Sequence, residues 1–188
     1  AAQVRASDLP PHTLPEWNAP LEESVAELRK WSDAGDTEAQ RQLTDRLEPC
    51  TPHGLREAKE SDEINRWNIE RDVQNPRITD ETRAESRELF QSRLDRNART
   101  REACAKLPKD LLDHWLDPAD RAAQAGNVMA MFTYAKSALA DYDDVASVAA
   151  NIDEVIERRD KARAYLEEAA RRGDKRALIL LAESQADT

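Results

Sequence analysis

The sequence has few of the residues that usually build a large apolar core. Leucine, isoleucine, valine and phenylalanine make up 33 of its 188 residues, with only two phenylalanines and two methionines. Chains with so few large apolar residues and a net charge of −10 are often disordered. Here, however, 30 alanines and four tryptophans accompany them. Because alanine is the strongest helix former and lets helices approach closely, the composition predicts a folded, all-α protein.

The chain also lacks long apolar runs and an excess of basic residues. No segment approaches the ~18 consecutive apolar residues needed to cross a bilayer, so membrane insertion is not expected. Acidic residues outnumber basic ones, 38 to 28, whereas binding to nucleic acid or anionic membranes depends on clustered lysine and arginine. The charge balance therefore argues against nucleic acid and favours a protein partner with a basic surface.

Motifs for catalysis and for binding cofactors or metals are missing as well. There is no glycine-rich phosphate loop and no GxSxG motif. The histidines, His12, His53 and His114, are scattered and lack paired cysteine or glutamate at ligand spacing. Cys50 lies near His53, as a thiol nucleophile lies near its base, but a loop held by a disulfide explains the same residues. We therefore predict that the protein is not an enzyme and has no cofactor and no metal ion.

One acidic run, DYDD at 141–144, suggests calcium. It lacks the glycine and the distal glutamate of a calcium loop, and it precedes a predicted helix. We therefore interpret the run as a helix cap.

Only two cysteines occur, Cys50 and Cys104, separated by 54 positions. In an oxidising compartment we expect a disulfide, which for a loop of this length stabilises the fold by about 4 kcal/mol. Two buried thiols are the alternative. The chain begins Ala1-Ala2-Gln3, as a mature exported protein does after signal-peptide removal, although a trimmed chain would begin in the same way. We expect a periplasmic or secreted protein, with a cytoplasmic location as the alternative.

Proline positions and hydrophobic spacing divide the chain into four parts. Four prolines within 1–20 predict an extended N-terminal arm. Apolar residues at helical spacing predict a first helical hairpin over 21–48. The charged segment 49–113 predicts a pair of longer helices divided at Asn75-Pro76, and 114–188 predicts further short hairpins. Within this last part, the predicted helices span residues 118–126, 128–139, 144–172 and 174–186.

Three short segments share one pattern, which accounts for three of the four glycines. Each has glycine, Asp or Asn, two variable residues, alanine, three variable residues, a large apolar residue and a small residue. The paired turn residues are Gly35 and Asp36, Gly126 and Asn127, and Gly173 and Asp174. Glycine adopts the left-handed conformation that ends one helix, and the Asp or Asn side chain caps the next. The pattern therefore predicts the turns of antiparallel helical hairpins, in which these six residues are structural.

The third copy of the pattern is the most complete. Residues 161–174, KARAYLEEAARRGD, resemble the first helix and turn of the Sel1-like repeat family, a relative of the tetratricopeptide repeats. The resemblance implies a short solenoid of stacked hairpins that binds proteins. The copies are spaced by 91 and 47 positions, and the glycine-rich turn that usually follows the second helix is missing after Leu43 and Tyr134. We therefore expect an irregular, interrupted array with a longer central helical pair.

Two further groups of residues suggest contact surfaces. Residues 83–101 contain six arginines and three acidic residues, which indicates either a site for phosphate or an acidic surface, or a solvated helix face with ion pairs, the simpler interpretation. Trp31, Trp67 and Trp115 are interpreted as core residues, with interface anchors as the alternative. Trp17 is expected to attach the N-terminal arm to the body. The sequence does not indicate which residues form the partner-binding face.

Together these features favour a non-enzymatic protein that binds other proteins. A small acidic exported helical protein suits an inhibitor or immunity protein that attracts a basic partner electrostatically. One alternative is an adaptor that assembles or regulates a complex. Another, from a different class, is an enzyme acting on cell-wall polymer, which needs a carboxylate with a raised pKa in a cleft. None of the 38 acidic residues stands out for that role in the sequence.

Overall fold

The computed structural model describes residues 9–142 and 144–186, with side chains described as far as residue 182. Within these residues all regular secondary structure is helical and no strand occurs, which confirms the all-α prediction. The helices are α1 Leu21–Asp33, α2 Thr37–Leu47, α3 Pro52–Gln74, α4 Asp80–Cys104, α5 Lys109–Asp113, α6 Asp117–Gln124, α7 Val128–Ser137, α8 Val145–Ala150, α9 Ile152–Arg171 and α10 Lys175–Ala186. A 3₁₀ turn, Glu48–Cys50, separates α2 from α3.

The N-terminal arm lies against the first hairpin. Residues 1–8 of the expected arm, and the last two residues of the chain, lie outside the described residues, and residues 9–20 contain no helix. The ring of His12 stacks on Trp31 with 3.7 Å between centroids. The His12 ring also hydrogen bonds through Nε2 to the carboxylate of Asp36 at 2.8 Å. These contacts attach the arm to the turn between α1 and α2.

Six helices form what we call the helical body: α1, α2, α6, α7, α9 and α10. Helix α2 packs against α1, α6 and α7, while α9 packs against α7 and α10. One buried group contains Val25, Leu28, Ala39, Leu43, Leu47, Trp115, Leu116, Ala119, Tyr134, Ala138 and Ala162. A second contains Ala122, Ala123, Ala130, Met131, Leu166, Ala169 and Ala177. Alanines at the helix contacts allow this close packing, as the composition predicted.

Helices α3 and α4 form a second unit, the long hairpin, each about 35 Å long at 1.5 Å per residue. They pack against each other and, near their base, against the 3₁₀ turn. The most buried side chains at their interface are polar. Asp62 is 3% exposed, accepts a hydrogen bond from Asn97 Nδ2 at 2.7 Å and pairs with Arg101 at 2.8 Å. Asn65 is equally buried and donates to Ser61 Oγ at 3.3 Å.

The core interpretation of the tryptophans is right for Trp115, which is 3% exposed, and wrong for Trp67. Trp31 is partly buried against the core. The Trp67 side chain is 57% exposed, and neighbouring Ile64 is 60% exposed. The side of α3 that faces α4 is occupied by polar residues such as Asp62, so Trp67 points away from it. Because only one helix packs along α3, its outer face stays uncovered.

The segment expected to form one helix from Asp144 to Arg172 is divided into α8 and α9. The break is at Asn151, whose φ of −128° and ψ of 31° are not helical. Its side-chain amide donates to the carbonyl of Ser147 at 2.9 Å. Asparagine competes for backbone groups in this way, which favours a helix end. The short helix α5 was not predicted.

Candidate binding cleft

The three predicted turns have the same geometry. The φ angles of Gly35, Gly126 and Gly173 are 96°, 94° and 91°. In each turn the glycine N–H donates to the carbonyl three residues earlier, and the next N–H donates to the carbonyl five residues earlier. This pair of bonds defines the Schellman motif that ends a helix.

Each turn is followed by a side-chain cap. The Oδ1 atom of Asp36 accepts hydrogen bonds from the N–H groups of residues 38 and 39, and Oδ1 of Asp174 accepts the equivalent pair from residues 176 and 177. Oδ1 of Asn127 accepts one such bond, from residue 130. The alanine one turn later is fully buried in every copy: Ala39, Ala130 and Ala177. These six turn residues therefore have structural roles in the described helices.

The turns also contact one another, forming what we call the turn row. Asn127 Nδ2, in the second turn, donates to Thr37 Oγ1 beside the first turn at 3.2 Å. Arg172, beside the third turn, donates from one guanidinium nitrogen to the carbonyl of Gly126 at 2.9 Å. Equivalent positions of three hairpins that are distant in sequence are thus neighbours in space.

The other residues singled out in the sequence are separated. His53 lies 3.4 Å from Glu57, and His114 lies 3.4 Å from Asp117. Within the described residues, no group of three or more His, Cys, Asp or Glu side chains is placed to hold a metal ion. Asp144 caps α8 by accepting from the N–H groups of residues 146 and 147, while Asp143 lies outside the described residues.

Cys50 and Cys104 lie at disulfide distance, with Cα atoms 5.2 Å apart, a normal separation for this bond. Both are almost fully buried. The bond connects the 3₁₀ turn after α2 with the last residue of α4. It therefore fixes the base of the long hairpin to the helical body.

An open cleft of about 480 Å³ lies beside this disulfide. We call it the arginine cleft, after the basic side chains that line it. Its polar walls come from the N-terminal arm, the end of α2 and the end of α4, and they carry Trp17, Asn18, Arg46, Arg96, Arg99 and Thr100. The disulfide holds two of these three elements together, so the cleft depends on it.

Arg46 is the most enclosed charge in the arginine cleft, since only 9% of the residue is exposed. One guanidinium nitrogen donates to the carbonyl of Glu16 at 2.6 Å. The ring of Trp17, itself largely exposed, covers the guanidinium at 4.4 Å. Burial lowers the pKa of Arg46, although arginine remains charged at neutral pH.

The arginines of the cleft have no acidic partner in the part of the chain that the structure describes. Among the described residues, no carboxylate oxygen lies within 4.0 Å of a guanidinium nitrogen of Arg46, Arg96 or Arg99. Asp45 also lines the cleft, but one of its carboxylate oxygens is paired with Arg41 and the other accepts from Thr133 Oγ1 at 3.5 Å. Burial raises the pKa of Asp45 in spite of the neighbouring Arg41.

Four arginines of the stretch 83–101 therefore fall into two groups. Arg83 donates to the carbonyls of residues 72, 75 and 78, which closes the loop of the long hairpin, and Arg101 pairs with Asp62. Arg96 and Arg99, three residues apart on α4, face the cleft instead. Their spacing is visible in the sequence, but the contribution of Arg46 and Trp17 is not, because the fold brings them to α4.

Comparison with protein-family models, with curated proteins and with solved structures gives no match. Within the described residues, none of the helices combines the length and apolar character that a membrane span requires.

Proposed function

We propose that this chain is a non-enzymatic protein-binding scaffold whose hairpins stack as an irregular array similar to Sel1-like and tetratricopeptide-related repeats. The turn row is the observation that carries the proposal, because it joins equivalent turns of three hairpins edge to edge. The order in which α2, α7, α9 and α10 pack supports stacking as well. Stacked hairpins present extended surfaces, which such proteins use for binding.

The charge distribution supports a basic partner. Residues 1–51 contain 10 acidic and 5 basic residues, and residues 105–188 contain 16 and 12, whereas the segment 52–104 is nearly balanced with 12 and 11. The negative charge thus belongs to the segments on either side of the long hairpin. The negative electrostatic potential of these segments accelerates the encounter with a cationic protein. An inhibitor or immunity protein for a basic toxin or hydrolase fits these properties.

The outer face of α3 supplies a candidate anchor for this partner. Trp67 and Ile64 are more than half exposed there, and the guanidinium of Arg71 lies over the Trp67 ring at 4.8 Å. Tryptophan and arginine are the residues most enriched among those that dominate binding energy. We therefore assign the first contact of the partner to this face.

Affinity capture from extracts of the source organism tests the proposal. The oxidised protein serves as bait at two salt concentrations, beside a Trp67→Ala variant. A Val145→Ala variant is the matched control, since Val145 is an apolar side chain that is 87% exposed on α8. We expect one dominant basic partner that is released by salt, is lost with Trp67→Ala and is kept with Val145→Ala. Capture that is identical for all three baits would contradict the role of Trp67.

An adaptor that assembles or regulates a complex is the alternative within the same class. It would bind several clients with modest affinity, whereas an inhibitor binds one client tightly. The number of proteins retained in the capture experiment, and their dissociation rates, separate the two.

A cell-wall hydrolase is the alternative from another class, and one observation speaks for it. The pKa of Asp45 is raised by burial, and Asp45 lines the arginine cleft. Both of its oxygens are engaged by Arg41 and Thr133, however, which favours a structural role. Turnover of purified peptidoglycan that disappears in Asp45→Asn would establish the enzyme and overturn the scaffold.

Export is part of the proposal and rests on the Cys50–Cys104 pair, because disulfides persist in oxidising compartments. Thiol labelling of intact cell fractions tests it. Labelling of both cysteines only after reduction, in the exported fraction, is expected. Labelling without reduction would favour the cytoplasm.

A further inference from the structure

The arginine cleft is a basic site in an acidic protein. Most described arginines elsewhere lie next to a carboxylate, as Arg41, Arg101 and Arg158 do. Arg46 from α2 and the pair Arg96 and Arg99 from α4 line one cleft, and none of them has such a neighbour among the described residues. An arginine that has no carboxylate neighbour on the protein keeps N–H donors available to an anion in the cleft.

Arg46 shows this most clearly. A guanidinium has five N–H donors, and the contact with the carbonyl of Glu16 accounts for one side of it. The Trp17 ring compensates part of the cost of burial through its π electrons. A neutral carbonyl and a ring do not neutralise the charge, so Arg46 retains the capacity to bind an anion in the cleft.

We infer that the arginine cleft binds a carboxylate group from an acidic segment of the protein partner. The planar fork of arginine matches a carboxylate with two parallel hydrogen bonds. The side chains of Asn18 and Thr100 line the same space and supply neutral hydrogen-bonding groups. The inference deepens the proposed function and rests on it to the extent that the ligand belongs to a protein.

The rest of the lining favours a peptide over a free phosphate. Leu21, Pro49 and Ala103 give the cleft an apolar wall beside its arginines, which suits the aliphatic part of a peptide. Asp45 lies in the same lining, and its negative charge opposes a dianionic phosphate more strongly than a carboxylate with a single charge. The volume of about 480 Å³ holds a few side chains and no folded domain.

Titration with short synthetic peptides tests the inference without the natural partner. The probe is an N-acetylated, C-amidated peptide of alternating glutamate and leucine, followed by NMR of the intact oxidised protein. A second peptide has glutamine in place of glutamate, and a third has a free C-terminus. We expect saturable shifts at the cleft for the glutamate peptide and none for the glutamine peptide. Stronger binding of the third peptide would assign the site to a terminal carboxylate, which still supports the inference.

Two double variants of α4 provide the matched comparison. R96Q with R99Q removes the exposed cleft arginines, and R87Q with R93Q makes the same change in net charge elsewhere on the helix. Neither pair of arginines has a carboxylate neighbour among the described residues, so both variants are expected to fold. The cleft variant should weaken glutamate-peptide binding about tenfold or more, and the control less than about twofold.

Several results would overturn the inference. They are the absence of saturable shifts up to about 5 mM glutamate peptide, equal weakening by both double variants, and tighter binding of inorganic phosphate than of the peptide. Retention of a captured partner with undiminished affinity by the cleft variant would also overturn it, while leaving the scaffold proposal intact. Conversely, a capture experiment that contradicts the scaffold proposal would not change the peptide titration.

Discussion

The helical body and the long hairpin use opposite means of holding two helices together. In the body, Leu28 and Leu43 are fully buried against alanines of neighbouring helices. In the long hairpin, the most buried side chains include Asp62 and Asn65, whereas Trp67 faces solvent and Leu94 is only partly buried. The body is thus stabilised by removal of apolar surface from water, whereas the hairpin depends on paired polar groups.

This difference indicates that the helical body and the long hairpin have different roles. The helical body has a core of its own and can serve as the rigid part of the molecule. The long hairpin has no apolar core, and Cys50 and Cys104 hold its base in place. Its exposed side chains Trp67 and Ile64 are therefore available to a partner, as are Arg96 and Arg99, which have no carboxylate neighbour among the described residues.

The largest expected effect comes from a matched pair of leucine truncations. Leu28→Ala, in the body, should destabilise the protein by about 2 to 5 kcal/mol because it leaves a cavity in a closed core. Leu94→Ala, in the partly buried face of α4, should cost about 1 kcal/mol or less. Urea unfolding of the two variants measures the difference. Equal losses would show that the hairpin has an apolar core after all.

The next effect separates buried from exposed charge within the hairpin. Asp62→Ala removes the acceptor of Asn97 and the ion partner of Arg101, and should cost about 2 kcal/mol. Asp95→Ala makes the same change in charge at an exposed site of α4 and should stay within about 0.5 kcal/mol. Amide hydrogen exchange in α3 and α4 measures the loss of stability in both variants. Indistinguishable exchange in the two variants would rule out a polar hairpin core.

Much of this organisation is predictable from the sequence. The turns at Gly35, Gly126 and Gly173 follow from local chemistry, because a left-handed residue followed by a cap has a narrow choice of residues. The all-α class follows from composition and helical spacing. The pairing of Cys50 with Cys104 follows from there being only two cysteines.

What the sequence does not reveal depends on contacts between distant segments. Trp67 resembles a core residue, since nothing in its neighbourhood indicates that α3 turns polar residues toward α4. The arginine cleft was also not predicted, because Arg46 and Arg96 are 50 positions apart and meet only in the folded chain. The division between α8 and α9 at Asn151 depends on a single side-chain bond.

A smaller effect tests the turn row within the body. Gly126→Ala should destabilise by about 1 to 2 kcal/mol, because φ is 94° and a Cβ atom would come within 3.3 Å of the Arg172 guanidinium. Gly173→Ala has the same strained φ but open space around it, so its cost should be about 1 kcal/mol. Thermal unfolding compares them. A larger loss for Gly173→Ala would contradict the contact between the turns.

The smallest expected effect is a change in the stability of the third turn at acidic pH. Hydrogen bonds from Arg176, with those from the backbone, lower the pKa of Asp174 to about 2 from the ordinary value of 3.8. A lowered pKa contributes stability above pH 4 that is lost as pH falls toward 2. Asp45, with its raised pKa, contributes in the opposite direction. Between pH 5 and 2, the protection of α10 against hydrogen exchange should depend less on pH in Asp174→Asn than in the original protein. The same pH dependence in both proteins would contradict the lowered pKa of Asp174.

The most direct test of the division between body and hairpin is hydrogen exchange of the oxidised protein and of a variant with both Cys50→Ser and Cys104→Ser. The loop-entropy estimate gives the disulfide about 4 kcal/mol. We predict that the variant loses protection in α3 and α4 while the helices of the body, with their own core, keep most of theirs. Equal loss of protection in both regions would contradict the claim that a self-supporting body carries a hairpin held by its disulfide.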